Sequence, residues 1–97
     1  MLEISYHAEA RDELTEAGRF YASVSPELGG SFFAIFDRAI ADIRQFPNGF
    51  PKVEGDLRRY SLRRFPFGIC YRVDRDSIRV LAFAHCRRHP DYWKHRK

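Results

Sequence analysis

The sequence predicts an α+β domain in which a helical hairpin packs on one face of a mainly antiparallel sheet, in the order β-α-α-β-β-β. Apolar residues recur every three or four positions through residues 8–46, which is typical of amphipathic helices. Before and after that stretch they alternate or form short β-rich runs. A length of 97 residues supports one core, so residues 1–97 are predicted to form a single domain.

The first half predicts one strand and the helical hairpin. Residues 2–6 alternate and are rich in β-forming residues, which favours a strand. From Ala8 a helix of about four turns follows, with one buried stripe: Leu14, Ala17, Tyr21 and Val24. Ser25 and Pro26 fit the N-cap and first position of a second helix, which should stop before Pro47. The predicted buried side of that helix contains Phe32, Phe36, Ala39, Ile40, Ile43 and Phe46.

The second half predicts a loop and then three strands. Residues 47–56 are rich in turn formers, and the strands are predicted at 57–65, 67–73 and 77–86. A two-residue turn at Arg75 and Asp76 would place Val73 opposite Ile78, Tyr71 opposite Val80 and Ile69 opposite Ala82, which makes one face apolar. The other face then carries Arg72 opposite Arg79, a like-charge pair that is unfavourable unless it is solvated or meets an anion.

The same register separates the two cysteines. Cys70 would lie opposite Leu81 and Cys86 opposite Phe65, so a disulfide between them is not expected and both are predicted to be reduced. No apolar run approaches the roughly 18 residues of a membrane span, and the N-terminal residues lack the features of a signal peptide. We therefore expect a cytoplasmic protein with no membrane partner.

The charge is distributed unequally along the chain. Residues 1–51 carry a net charge of −4 and residues 52–97 a net charge of +8. The second half is thus the cationic part, and a polyanion or an acidic protein is its expected partner. The alternative is a solvated basic surface without a partner.

The sequence offers little support for metal, nucleophilic or phosphate-loop chemistry. His85 and Cys86 would point to opposite faces of a strand, and no second cysteine pair has zinc-ligand spacing, so no metal and no cofactor are predicted. GxSxG and glycine-rich phosphate motifs are absent from the sequence. The neighbouring carboxylates Asp12 and Glu13, like Asp74 and Asp76, are interpreted as solvated charges.

The remaining candidate is a cationic, aromatic surface that could bind a target. Its predicted members are Arg58, Arg59, Arg63, Arg64, Arg72, Arg79, Arg87, Arg88, Tyr92 and Trp93. Strand alternation allows only some of these arginines to share one face. Such a surface could dock a protein, or it could support a metal-free ribonuclease in which cations stabilise a scissile phosphate. Alternatively, Tyr92 and Trp93 pack the C-terminal residues onto the sheet.

Two motifs in this half resemble the RelE/ParE superfamily of type II toxin-antitoxin (plasmid stabilisation) toxins. They are "RFPFGICYRV", residues 64–73, and "HCRRHPDYW", residues 85–93. The opening strand followed by "HAEARDEL" and the Phe46-Pro47 pair at the end of the second helix add weaker support. The resemblance spans nearly the whole chain and implies the same order of elements.

The resemblance implies two targets, depending on the branch of the superfamily. RelE-like members are ribosome-dependent mRNA endoribonucleases, and Arg87, Arg88 and Tyr92 could fill their later catalytic positions; the strand position of one catalytic arginine is Gly68 here. ParE-like members poison DNA gyrase without that catalytic set, and the motif pair is closer to them. We therefore expect a non-catalytic gyrase-directed toxin, with the ribosome-bound ribonuclease as the alternative.

The resemblance also implies a protein partner. Members are neutralised by a cognate antitoxin, in a toxin-antitoxin hetero-oligomer, and the cationic half predicts that the antitoxin's C-terminal segment is acidic and amphipathic. The third hypothesis is a non-toxic basic binding module.

Overall fold

The structure, a computed structural model, describes residues 2–87 and 92–97 and confirms the predicted α+β fold. The elements in chain order are β1 (Glu3–Tyr6), α1 (Ala8–Val24), α2 (Pro26–Gln45), β2 (Lys52–Glu54), β3 (Leu57–Ser61), β4 (Phe67–Asp74) and β5 (Ser77–His85). One sheet has the order β1-β5-β4-β3-β2, in which β1 runs parallel to β5 and the other neighbours are antiparallel. In the described part, no helix is long and apolar enough to cross a membrane.

The helical hairpin begins and ends where the sequence predicts. The Ser25 Oγ accepts a hydrogen bond from the Leu28 N–H at 3.0 Å, and Pro26 is the first residue of α2. The last helical residue, Gln45, lies two positions before Pro47. Val24 and Phe46, both predicted to be buried, are instead 60% and 57% exposed, because the apolar stripes leave the core at these two helix ends.

The core lies between the helices and one face of the sheet, which we call the helix face. Phe32 and Ile43 of α2 meet Ile69 and Ile78 of the central strands, and all four are 0% exposed. Tyr71 extends from this core to the loop after α2, where its hydroxyl donates to the Pro47 carbonyl at 2.8 Å. Burial raises the pKa of Tyr71 to about 12. The hairpin and the loop are therefore fixed on the same central strands.

Two strand predictions are wrong in extent. The short edge strand β2 lies in a segment predicted to be a loop. The strand predicted at 57–65 ends at Ser61, because the chain turns there: the Leu62 N–H donates to the Phe67 carbonyl at 2.9 Å, and Arg64 adopts a φ of 70°. This turn brings the arginines of the β3–β4 connection to the end of the sheet.

The predicted register holds for half of the β4–β5 hairpin. Tyr71 lies opposite Val80, as predicted. The predicted pairs between Tyr71 and the turn are also observed. A bulge then shifts the ladder by one residue, so that Cys70 faces Ala82 instead of Leu81. The corrected pairs are Ile69 with Phe83 and Phe67 with His85, and the Cys86 N–H bonds to the Pro66 carbonyl instead of lying opposite Phe65.

The bulge changes which residues of β5 face the helices. Val80 and Phe83 both join the helix-face core, whereas Leu81 and Ala82 both lie on the opposite face, which we call the open face. Both cysteines are free thiols, as predicted, with Cys70 buried and Cys86 exposed.

Candidate arginine-bearing interaction surface

The open face is covered in part by the chain end, residues 92–97, which we call the C-terminal segment. Trp93 is 1% exposed and packs in a small cluster with Cys70, Leu81, Ala82 and Ala84. In this conformation Trp93 packs the C-terminal residues onto the sheet and does not bind a target, because its indole is not accessible. Burial also raises the pKa of the Cys70 thiol to about 12, so this cysteine stays protonated and is not a nucleophile at neutral pH.

A partly buried ion pair fixes the C-terminal segment against the outer edge of β5. The Arg96 Nη1 donates to the Glu13 carboxylate and to the Leu81 carbonyl, each at 3.0 Å. The Glu13 carboxylate also accepts the Phe83 N–H at 3.1 Å. Since β1 pairs with β5 only as far as Val80, these two side chains satisfy backbone groups that have no neighbouring strand. We call Glu13 and Arg96 the edge clamp.

The edge clamp corrects the interpretation of Glu13 as a solvated charge. Its side chain is 20% exposed and that of Arg96 is 7% exposed. Sequence reasoning missed this pair because the two residues are far apart in the chain and stand in segments of opposite net charge, which gives no local signal. The acidic N-terminal half thus supplies a structural counter-ion to the basic C-terminal half.

Three of the predicted surface arginines are engaged by the protein itself. Arg58 donates to the Asn48 and Phe50 carbonyls at 3.2 and 2.8 Å and so anchors the loop after α2. Arg72 donates to Asp74 at 2.8 Å, and this hydrogen bond lowers the pKa of the Asp74 carboxyl.

Arg79, which faces Arg72 in the register as predicted, is bonded separately. It donates to the Ser5 hydroxyl at 3.2 Å and to the Lys97 carbonyl at 3.4 Å. The like-charge pair is thus tolerated because each member has its own acceptors.

Four other predicted arginines make no ion pair with a carboxylate among residues 2–87 and 92–97. They are Arg59, Arg63, Arg64 and Arg87, which we call the end arginines. Arg63 and Arg64 lie in the β3–β4 turn and line a cavity of about 520 Å³ together with Tyr60 and Asp42. Arg87 is exposed just beyond β5. Arg88 lies outside the described residues.

Arg59 occupies the space above Gly68. A Cβ built on Gly68 would lie 2.7 Å from the Arg59 Cζ and 2.9 Å from its Nη2, so any larger residue at this position would displace the guanidinium. Gly68 is the strand position at which RelE-like relatives are expected to carry an arginine. In this chain a cation reaches the same part of the sheet from the neighbouring strand β3.

A groove of about 420 Å³ runs between α1 and the ends of β4 and β5. Its lining is mostly apolar and includes Ala17, Phe20, Tyr21, Phe67 and Phe83, with Glu13, Glu16, His85 and Tyr92 at its polar positions. Phe20 is 61% exposed. The groove therefore offers an apolar surface adjacent to the end of the sheet that carries the end arginines.

The groove also contains Tyr92, a residue of the predicted ribonuclease site, and His85, which lies two positions before Arg87 of that site. The Tyr92 ring is covered by the Arg96 guanidinium, 5.2 Å from its centroid. His85 packs on Phe67 and accepts the Arg87 N–H through its Nδ1 at 3.1 Å. In the described part of the chain, no three His, Cys, Asp or Glu side chains come together as a set of metal ligands.

The fold of this chain is shared by a solved protein. A solved structure titled "Chromosomal ParDE TA system from P. aeruginosa" superposes with a TM-score of 0.74 at 21% sequence identity, over 88% of this chain and 96% of that one. At that identity the likeness shows the fold: a helical hairpin on a mixed sheet.

The sequence comparisons identify the branch of the superfamily. Residues 4–90 match the family described as "ParE toxin of type II toxin-antitoxin system, parDE". Toxin ParE2 from two strains of Mycobacterium tuberculosis, CDC 1551 / Oshkosh and H37Rv, is 30% identical over 86 residues, which cover 88% of this chain and 82% of that protein. The chain belongs to the ParE toxin family of type II toxin-antitoxin systems.

Proposed function

We propose that this ParE-type toxin arrests growth in the cytoplasm by binding and poisoning DNA gyrase, and that a cognate antitoxin neutralises it. The observation that carries the proposal is the set of end arginines, which project positive charge without carboxylate partners among the described residues. A protein that acts by binding needs such an unsatisfied surface, whereas the engaged arginines contribute to the fold.

The antitoxin segment would use both the groove and the end arginines. Its apolar side would lie along the groove beside Phe20, and its carboxylates would reach three of the end arginines, Arg63, Arg64 and Arg87. Glu16 lines the α1 wall of the groove, whereas the charge of Glu13 there is balanced by Arg96, so an acidic residue of the segment is unfavourable beside Glu16. We expect an amphipathic segment whose acidic residues are concentrated at the end that meets Arg63, Arg64 and Arg87.

Growth and target assays test the toxic activity. Expression of the chain alone should arrest growth, and coexpression of the antitoxin encoded beside it should restore growth. Purified protein should trap cleaved DNA with gyrase and should leave mRNA on translating ribosomes intact. Cleavage of that mRNA without gyrase trapping would replace the proposal with the ribonuclease alternative, and an indifferent host would favour the basic binding module.

A matched pair of variants tests the antitoxin groove. Phe20→Glu should weaken antitoxin binding about tenfold or more in isothermal titration, because it places a charge in the apolar groove. Val24→Glu is the control, since Val24 is equally exposed at 60% and does not line the groove. Equal binding by the two variants would exclude this groove as the antitoxin site.

A further inference from the structure

The position of Arg59 is fixed by the residue beneath it. Arg59 lies opposite Cys70 in the register, and its half-buried side chain leans along the sheet so that the guanidinium rests on Gly68 of β4. The absence of a side chain at Gly68 is what permits this contact. The Arg59 guanidinium therefore lies over Gly68 on the open face of the sheet.

The donors of this guanidinium are unused. Arg59 makes no side-chain hydrogen bond and no ion pair with any residue in the described part of the chain, unlike Arg58 and Arg72 in the same sheet. A guanidinium that is held in place but not satisfied is preorganised for an oxyanion, because less side-chain entropy is lost on binding.

A second donor stands beside it. Ser61 is directly opposite Gly68 in the β3–β4 ladder, so its exposed hydroxyl is on the same face of the sheet. The hydroxyl has no hydrogen-bond partner among residues 2–87 and 92–97. The three other end arginines add positive charge at this end of the sheet, with Arg63 and Arg64 beside α2 and Arg87 exposed beyond β5. Several separate cations are better matched by successive phosphates than by one carboxylate.

We propose that Arg59, seated on Gly68 and assisted by Ser61, is a phosphate-binding site for a nucleic-acid strand on the open face. This site is separate from the groove assigned to the antitoxin and does not depend on gyrase as the target. It goes beyond the proposed function, so growth arrest and phosphate binding can fail independently.

The first test measures binding of two probes to the full-length protein. Inorganic phosphate should shift the Arg59 Nε–Hε resonance, and a labelled single-stranded RNA of about 12 nucleotides should bind in fluorescence anisotropy. Arg59→Gln should weaken RNA binding about tenfold and should reduce the slope of log K against log[salt] by about 0.7. Arg75→Gln, which removes the same charge from the β4–β5 turn at the opposite end of β4, should change the affinity much less.

The second test separates geometry from charge. Gly68→Ala keeps every charge but displaces the guanidinium, so it should cause part of the loss of RNA binding seen for Arg59→Gln, and unchanged binding would contradict the role of Gly68. Arg59→Lys keeps the charge without the planar fork and should give an intermediate loss. Thermal unfolding of each variant establishes that it is folded, and if Gly68→Ala does not fold, Arg59→Lys decides between geometry and charge.

Three outcomes would overturn the proposal. The first is that neither phosphate nor RNA, nor DNA of the same sequence, perturbs Arg59. In the second, Arg59→Gln and Arg75→Gln weaken binding equally, which would indicate only diffuse attraction. In the third, an acidic peptide binds in an Arg59-dependent manner while phosphate and RNA do not, which would assign the site to a carboxylate of a protein partner.

Discussion

The two faces of the sheet are built differently. The helix face is covered by two helices of 17 and 20 residues, whose aromatic side chains interlock with Ile69 and Ile78. In the described residues, the open face is covered only by the C-terminal segment, which packs Trp93 on small side chains such as Ala82 and Ala84. The first face supplies most of the buried apolar surface, and the second leaves part of the sheet accessible.

This difference between the faces determines where an arginine without protein acceptors can lie at low energetic cost. On the helix face, Arg58 is satisfied by loop carbonyls, whereas on the open face Arg59 keeps its donors unused. An unsatisfied arginine is costly where it is dry and inexpensive where water reaches it. We therefore propose that the binding surface lies on the open face and at the end of the sheet that carries the end arginines. Four sets of variants test the contrast between the two faces.

The largest expected effect is in the helix-face core. Phe32 is 0% exposed and packs against Tyr21, Phe65 and Phe83. Phe32→Ala should lower the free energy of unfolding by about 3–5 kcal/mol in guanidinium titration, because it leaves a cavity. The neighbouring Phe33→Ala is the control and should cost less, since Phe33 is 42% exposed. Equal losses would contradict the position of the core.

The second-largest loss of stability is expected on the open face. Trp93→Ala should cost about 3 kcal/mol, at the lower end for a large aromatic residue, because the C-terminal segment can detach without opening the helix face. Hydrogen exchange should show lost protection at Leu81 to Ala84 and preserved protection in α2. Uniform loss of protection would mean that the two faces unfold as one unit.

Substitutions in the edge clamp should lower the free energy of unfolding by a smaller amount, and the effects of the two substitutions should be strongly coupled. Arg96→Ala and Glu13→Ala should each destabilise by about 2 kcal/mol, because the first removes the donor to the Leu81 carbonyl and the second removes the acceptor of the Phe83 N–H. Glu9, 2.9 Å from Arg96, still balances the charge of Arg96 when Glu13 is removed. The double variant should lose less than the sum of the two. The exposed pair of Lys94 and Glu54, 3.5 Å apart, is the control and should show coupling below about 1 kcal/mol. Additive losses at the clamp would show that the two side chains act independently.

The order and type of the elements were predictable because they depend on local patterns. The N-cap at Ser25 and the stop before Pro47 are determined by backbone rules that act within a few residues. The bulge at Leu81 was not predictable, because "VLAFA" is apolar without alternation and is compatible with either phase. Strand β2 was missed because three exposed residues carry almost no β signal.

The candidate site was predictable in composition but not in arrangement. The sequence indicates a cationic second half, but it gives no means of separating Arg58 from Arg59, which are adjacent and chemically identical. Their difference depends on the sheet: one meets loop carbonyls on the helix face and the other meets Gly68 on the open face. Similarly, the role of Glu13 depends on a contact with Arg96 across the fold. Such long-range partners are set by tertiary structure.

The smallest expected effect concerns Arg72 and Asp74, a partly exposed ion pair beside the β4–β5 turn. The hydrogen bond from Arg72 lowers the pKa of Asp74, so the pair stabilises the protein above the unfolded-state pKa of about 4 and loses this contribution as the pH falls through the folded-state pKa. Because the Asp74 side chain is 46% exposed, Asp74→Asn should cost only about 0.3 kcal/mol at pH 7. In urea titrations the difference from the parent protein should vanish once the pH is below the folded-state pKa of Asp74, and it should shrink in high salt. Asp76→Asn in the same turn is the control, since Asp76 makes no ion pair with any described residue. A difference that persists at acid pH would mean that Asp74 stabilises the turn by its shape or hydrogen bonding and not by its charge.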